Sequence, residues 1–136
     1  MSLTLIAMAA AAATHNVQVE HRGKPVEAVY SAQTDIRTRT IGAHTPNRAD
    51  SRRCLWTATI MVDRKLAHGP ALSRILSHDR EISGSTHGAC APDNKQVVRD
   101  VAKRQDIVRD HLLAVAQQDR GVLLAELDAV QNMASN

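Results

Sequence analysis

The strongest constraint on the fold is the segment at residues 54–62, CLWTATIMV. It is rich in aliphatic and β-branched residues, which favour strands. Because successive side chains of a strand point to opposite faces, every second residue lies on the same face. One face then carries Cys54, Trp56, Ala58, Ile60 and Val62. This pattern predicts a strand with one side buried in the core.

Similar alternation precedes this strand. Val17 and Val19 alternate with polar residues, and residues 35–41 alternate again. Turn-forming residues at 22–25 and a loop-like stretch at 42–51 separate these segments. Since consecutive strands with short connections usually pair, the sequence predicts a small antiparallel β-meander over about residues 17–62.

The C-terminal third has a helical pattern. Valine recurs every seven residues, at positions 101, 108, 115 and 122. Asp93 is a suitable N-cap, and Gly121 predicts a break near the middle. A coiled-coil dimer does not fit, because the second row of its seam would hold Gln105, Asp119 and Glu126. We therefore expect an α+β fold in which a long or broken amphipathic helix packs on the sheet.

The segment between these two regions is less regular. Pro70 suits the first turn of a helix, and Leu72, Ile75 and Leu76 follow at helical spacing. Residues 81–91 contain two glycines and a cysteine. The sequence predicts a short helix after Pro70 and then an irregular segment.

Residues 1–13 form an uncharged, alanine-rich N-terminal segment. Its apolar part is too short for a membrane-spanning helix, which needs about 20 residues. Its length and small residues are typical of a signal peptide, although no Lys or Arg precedes the apolar part. The alternative is an alanine-rich N-terminal helix. We expect a signal peptide at 1–13, a single domain at 14–136, and no transmembrane segment.

The chain has two cysteines, Cys54 and Cys90. An even number of cysteines in a small exported chain indicates a disulfide. The sequence therefore predicts one Cys54–Cys90 bridge and a periplasmic or secreted location. In a cytosolic protein the same residues would be free thiols.

Arginines are concentrated in one part of the chain, which has a net charge of only +3. Such a group favours flat anions, because guanidinium groups bind carboxylate and phosphate in pairs of hydrogen bonds. A solvated charged surface without a ligand is the alternative. The candidate anion- or partner-binding residues are Arg37, Arg39, Arg48, Arg52 and Arg53.

No motif specifies a chemistry, so we expect a non-catalytic binding or structural protein without metal or cofactor. Its expected partner is an anionic envelope component or an acidic protein surface. One alternative is a small hydrolase or metal-dependent enzyme using His78, His87 and Cys90. Another is a cytoplasmic nucleic-acid-associated protein. Nucleic acid is the less favoured partner, since the arginines have no aromatic neighbours for base stacking.

Overall fold

In the part of the chain that the structure describes, a four-stranded antiparallel sheet packs against two C-terminal helices, which confirms the predicted α+β class. The computed structural model describes residues 13–67 and 74–135, without the side chains of 77–79 and 135. Most of the predicted signal peptide, residues 1–12, lies outside the described residues. The elements are β1 (Ala13–His21), β2 (Lys24–Ile41), β3 (Arg53–Leu66), β4 (Arg74–His87), α1 (Lys95–Ala102) and α2 (Gln105–Ser135).

The strands follow one another across the sheet in chain order, as a meander. A two-residue turn joins β1 to β2, and His21 pairs with Lys24. Both turn residues have positive φ, 52° at Arg22 and 78° at Gly23. Positive φ at both positions is characteristic of the type I′ turn, whose twist matches that of the flanking strands. The turn therefore fixes the register of this hairpin.

The sheet extends beyond the predicted range of residues 17–62, because Arg74–His87 forms its last strand. The predicted irregular segment at 81–91 is wrong over Glu81–His87, which pairs with β3. Ile75 and Leu76 also lie in this strand rather than in a helix. Three apolar residues at helical spacing span barely one turn, which is too little to nucleate a helix. Gly69, Pro70 and Leu72 lie outside the described residues.

The C-terminal helix is broken, but at a different place from the one predicted. The interruption is at residues 103–104, and Gly121 lies inside a continuous α2 of 31 residues. Gly121 is exposed, and a Cβ added there would meet no other part of the protein within 4 Å, so this glycine lowers helix propensity without serving a close contact. The residue at the N-cap of α1 is Asn94 rather than Asp93.

Both helices pack on the same face of the sheet, the face that carries the predicted Cys54–Val62 row. Two hydrophobic clusters fill the space between the layers. The smaller cluster contains Cys54, Trp56, Ala58, Ile82, Val97 and Val101. The larger one contains Val19, Ala28, Tyr30, Ala32, Ile60, Val62, Val108, Leu112, Ala116, Leu123 and Leu127.

The predicted disulfide is present. Cys54 of β3 is bonded to Cys90, and their Cα atoms are 4.7 Å apart. Cys90 lies in the connection between β4 and α1, and its backbone N–H donates to Thr40 Oγ1 at the end of β2. The bridge therefore ties the chain that enters α1 to the sheet.

Candidate functional site

The sheet has an open face opposite the helices. In β2 and β3 the buried residues alternate with side chains that are partly or fully exposed. By the period of a strand these exposed side chains point away from α1 and α2. This open face is where a one-sided sheet meets solvent or a partner.

Three of the five predicted arginines share the open face. Arg37 and Arg39 alternate on β2, and Arg53 begins β3. Arg39 pairs with Leu55, and Ile41 pairs with Arg53, so Arg39 and Arg53 are diagonal neighbours. Positions two apart on a strand, or diagonal across a pair, are separated by about 7 Å. These three residues, the arginine patch below, therefore lie within the reach of one extended anion.

The arginine patch is exposed and has few competing carboxylates. The side chain of Arg37 is 85% exposed, and its Nε lies 3.6 Å from the carboxylate of Asp35. Arg53 donates a hydrogen bond of 2.9 Å to Ser85 Oγ. Asp35 and Glu81 both pair with Thr59 of β3, so the two carboxylates lie in one row across the strands. On this face Arg39 is two rows away from them, and Arg53 is three rows away. The guanidinium groups thus remain available to an external anion, with an acidic margin on one side.

The structure does not bring the other two predicted arginines into the patch. Arg52 donates two side-chain hydrogen bonds of 3.0 Å to Asp50. These bonds, with one from the Arg52 backbone N–H, hold the pKa of the Asp50 carboxyl well below its usual range. Arg48 is exposed in the loop after β2, in a turn closed by its N–H on the carbonyl of Thr45. Because it is bonded to Asp50, Arg52 stabilises this loop, and neither Arg52 nor Arg48 is part of the arginine patch.

A buried polar network that was not expected from the sequence lies under α2. Arg64 of β3 is 0% exposed, and its guanidinium donates to Asp119 and to Glu126. The hydroxyl of Tyr30 donates to the same Asp119 carboxylate at 2.9 Å. Arg74 of β4 also donates to Glu126. The network joins three strands, β2, β3 and β4, to one helix.

The charges in this network compensate one another. Burial alone would lower the pKa of Arg64, but the hydrogen bond and charge of Asp119, with those of Glu126, raise it. The guanidinium therefore stays charged inside the protein. An ion pair in this position orients the helix on the sheet, because neither charge is tolerated there without the other.

Two sequence signals could have revealed the network. Position 64 continues the alternation of Cys54–Val62, so Arg64 is placed on the buried face. On the helix, Gln105, Leu112, Asp119 and Glu126 recur every seven residues, beside the valine row. Two of the three polar residues that argue against a coiled coil, Asp119 and Glu126, are thus partners for a buried arginine.

Tyr30 is expected to resist ionisation in the folded protein. Burial, followed by the hydrogen bond to and the charge of Asp119, raises its pKa well above the usual value of about 10. The unfolded state then loses this proton first, so stability should fall as the pH rises above about 10. Tyr30 is the only tyrosine, so its ultraviolet absorbance reports the titration directly. In Tyr30→Phe the alkaline loss of stability should be smaller, and an equal loss would contradict this assignment.

The described side chains do not form the site that the enzymatic alternative requires. The sulfur of Cys90 is bonded to Cys54, so it is not a free nucleophile. His87 is exposed on β4, opposite Arg53. His78 is in β4, but its side chain lies outside the described residues. Among the side chains that are described, no group of three or more His, Cys, Asp or Glu residues is arranged to hold a metal.

Comparison with known proteins gives no family. No protein-family model, curated protein or solved structure matches the chain. Neither α1 nor α2, the helices of the described residues, combines the length and hydropathy of a membrane-spanning helix.

Proposed function

We propose that the protein is an exported, non-catalytic binding protein whose arginine patch recognises an anionic envelope component. The observation that supports this is the placement of Arg37, Arg39 and Arg53 on an exposed sheet face. The ligand chemistry is carboxylate, phosphate or sulfate on an extended molecule, either an acidic glycan or a lipid headgroup surface.

The guanidinium groups of the arginine patch are suited to binding an anionic ligand. A guanidinium is always charged and offers a planar fork of donors that matches two oxygens of a carboxylate or phosphate. Three such forks on one rigid sheet bind several anionic groups at once. An exposed sheet face suits an extended surface, whereas small molecules bind in concave pockets.

The positions of the aromatic residues favour this class over nucleic acid. Trp56 and Tyr30 are the only aromatic residues. Each is 1% exposed and lies under the helices, on the face opposite the arginine patch. Neither residue is placed to stack on a base, which is a main source of affinity for single strands.

The disulfide supports a periplasmic or secreted location. Disulfides persist in oxidising compartments and are rare in the cytosol. The N-terminal segment has the composition of a leader. A mass of protein from its native host that lacks this segment would support export, and a full-length mass would contradict it.

The double variant Arg37→Ser/Arg39→Ser is expected to weaken binding at least about tenfold, because two charged donors are lost. Binding is measured against heparin as an acidic glycan and against phosphatidylglycerol vesicles as a headgroup surface. The matched control is Arg99→Ser/Arg109→Ser, which removes the same charge from exposed positions on the helical layer.

Each result distinguishes the ligand source or rejects the patch. Loss of heparin binding alone identifies a glycan, and loss of vesicle binding alone identifies a headgroup. Equal losses in the two double variants would show that only net charge matters. No binding of either probe by the wild-type protein would overturn the proposal.

A further inference from the structure

A second surface lies at the edge of the sheet, away from the arginine patch. A cavity of about 320 Å³, half open to solvent, lies between β1 and α2. Its walls are mainly apolar, and Val17 and Val19 of β1 face Leu113 and Leu123 of α2. This volume is in the range of ligand-binding pockets, about 300–1,000 Å³. It is large enough to accept an apolar side chain of a ligand.

The cavity runs beside an open strand edge. Within residues 13–67 and 74–135, β1 pairs only with β2. Alternate N–H and C=O groups of β1 therefore point outward and can pair with another extended chain. The strand has 9 residues and contains neither Pro nor Lys, two residues that protect edges from such pairing.

The cavity and the open edge of β1 could contact the same extended ligand. The side chains of Val17 and Val19 lie on the helical side of the sheet, so the cavity is on that side. A strand added to β1 would direct every second side chain to the same side. In this mode of recognition, backbone hydrogen bonds give affinity and a pocket for alternate side chains gives specificity.

The positive charge that lines the cavity favours a ligand with an acidic group. Arg120 lines it and is exposed, and none of the other lining residues is acidic. His15 lines the cavity from β1, across from the helix that carries Arg120, and is half-buried. A carboxylate beside the apolar anchor would complement Arg120, whereas a basic residue there would be repelled.

The geometry points to the groove between β1 and α2 as a peptide-binding site. The ligand is an extended peptide that adds antiparallel or parallel to β1, places an apolar side chain in the cavity and sets an acidic group on Arg120. This site is separate from the arginine patch, and it does not depend on the proposed function.

The test uses a display library of random seven-residue peptides, selected on the full-length protein. Enriched sequences are synthesised and titrated against the wild type and two charge-reversal variants. We expect a shared apolar residue with a nearby acid, and affinity at least about tenfold lower in Arg120→Glu. Arg109→Glu, exposed on the same helix and outside the cavity, should bind as the wild type does. Amide hydrogen exchange of β1 should slow when the peptide binds.

Other results overturn the proposal in distinct ways. If no peptide is enriched, or if Arg120→Glu and Arg109→Glu bind equally, the groove is not a peptide site. Binding of laurate to the cavity, with β1 exchange unchanged by every peptide, would assign it to a small amphiphile. A concentration-dependent dimer that protects β1 without peptide would assign the edge to a second copy of the chain.

Discussion

Replacing Asp119 with alanine is expected to destabilise the protein by about 3–5 kcal/mol, because it leaves a buried guanidinium without its main counter-charge. Arg64 is fully buried, and the carboxylate of Asp119, only 6% exposed, also accepts the Tyr30 hydroxyl. The single substitution therefore leaves two buried donors without their acceptor. Urea unfolding of purified Asp119→Ala, monitored by Trp56 fluorescence, measures the difference from the wild type.

Two controls separate the ion pair from general damage to the helix. Asp110→Ala changes an exposed position of α2 and should alter stability by no more than about 0.5 kcal/mol. The variant Arg64→Met/Asp119→Leu replaces both charges with apolar side chains, and it should recover much of the lost stability. A loss below about 1 kcal/mol in Asp119→Ala would show that the network does not hold the helix on the sheet.

Removing the disulfide is the second large effect that we expect. The Cys54–Cys90 bridge closes a loop with a sequence separation of 36, which the loop-closure model values at about 4 kcal/mol. Cys54→Ala/Cys90→Ala should lose about this much stability, since its unfolded chain is less restricted. The measurement is urea unfolding of the oxidised wild type beside the double variant.

A reductant provides the matched control for the disulfide. It should lower the stability of the wild type to near that of Cys54→Ala/Cys90→Ala, and it should leave the variant unchanged. Intact mass before and after alkylation verifies the oxidation state of each sample. If full reduction does not change the unfolding curve of the wild type, then the bridge contributes no stability.

The sequence features that predicted structure correctly were those with a strong local period or a forced pairing. Residues 54–62 show a clear two-residue period, and they form the centre of β3. Cys54 and Cys90 had only each other as partners, so the bridge followed from their number. The arginines of β2, at positions 37 and 39, share one face because of the same two-residue period.

The features that were missed depend on contacts between distant parts of the chain. Ile75 and Leu76 have helical spacing, but their strand is fixed by pairing with β3.

The valine row does not stay on one face of the helix. At 3.6 residues per turn, residues seven apart are slightly offset around the helix axis, and the offset accumulates along the row. Val108 is therefore buried while Val122 is exposed.

The candidate site was predicted in part for the same reason. Arg37, Arg39 and Arg53 come together through strand period and register. Arg52 could not be separated from them by sequence, because its hydrogen bonds to Asp50 depend on the conformation of a loop. The Arg64–Asp119 pair joins residues that are 55 positions apart. No local pattern predicts which helix residue forms the ion pair with a buried arginine.

The division of the core into two clusters gives the protein a pair of independent internal reporters. Trp56 belongs to the smaller cluster, beside the disulfide and α1, whereas Tyr30 belongs to the larger cluster under α2. Each is the only residue of its type in the chain. Tryptophan fluorescence and tyrosine absorbance therefore monitor opposite ends of the molecule without any label. Comparison of the two signals during unfolding measures whether the halves of the sheet behave as one cooperative unit or as two.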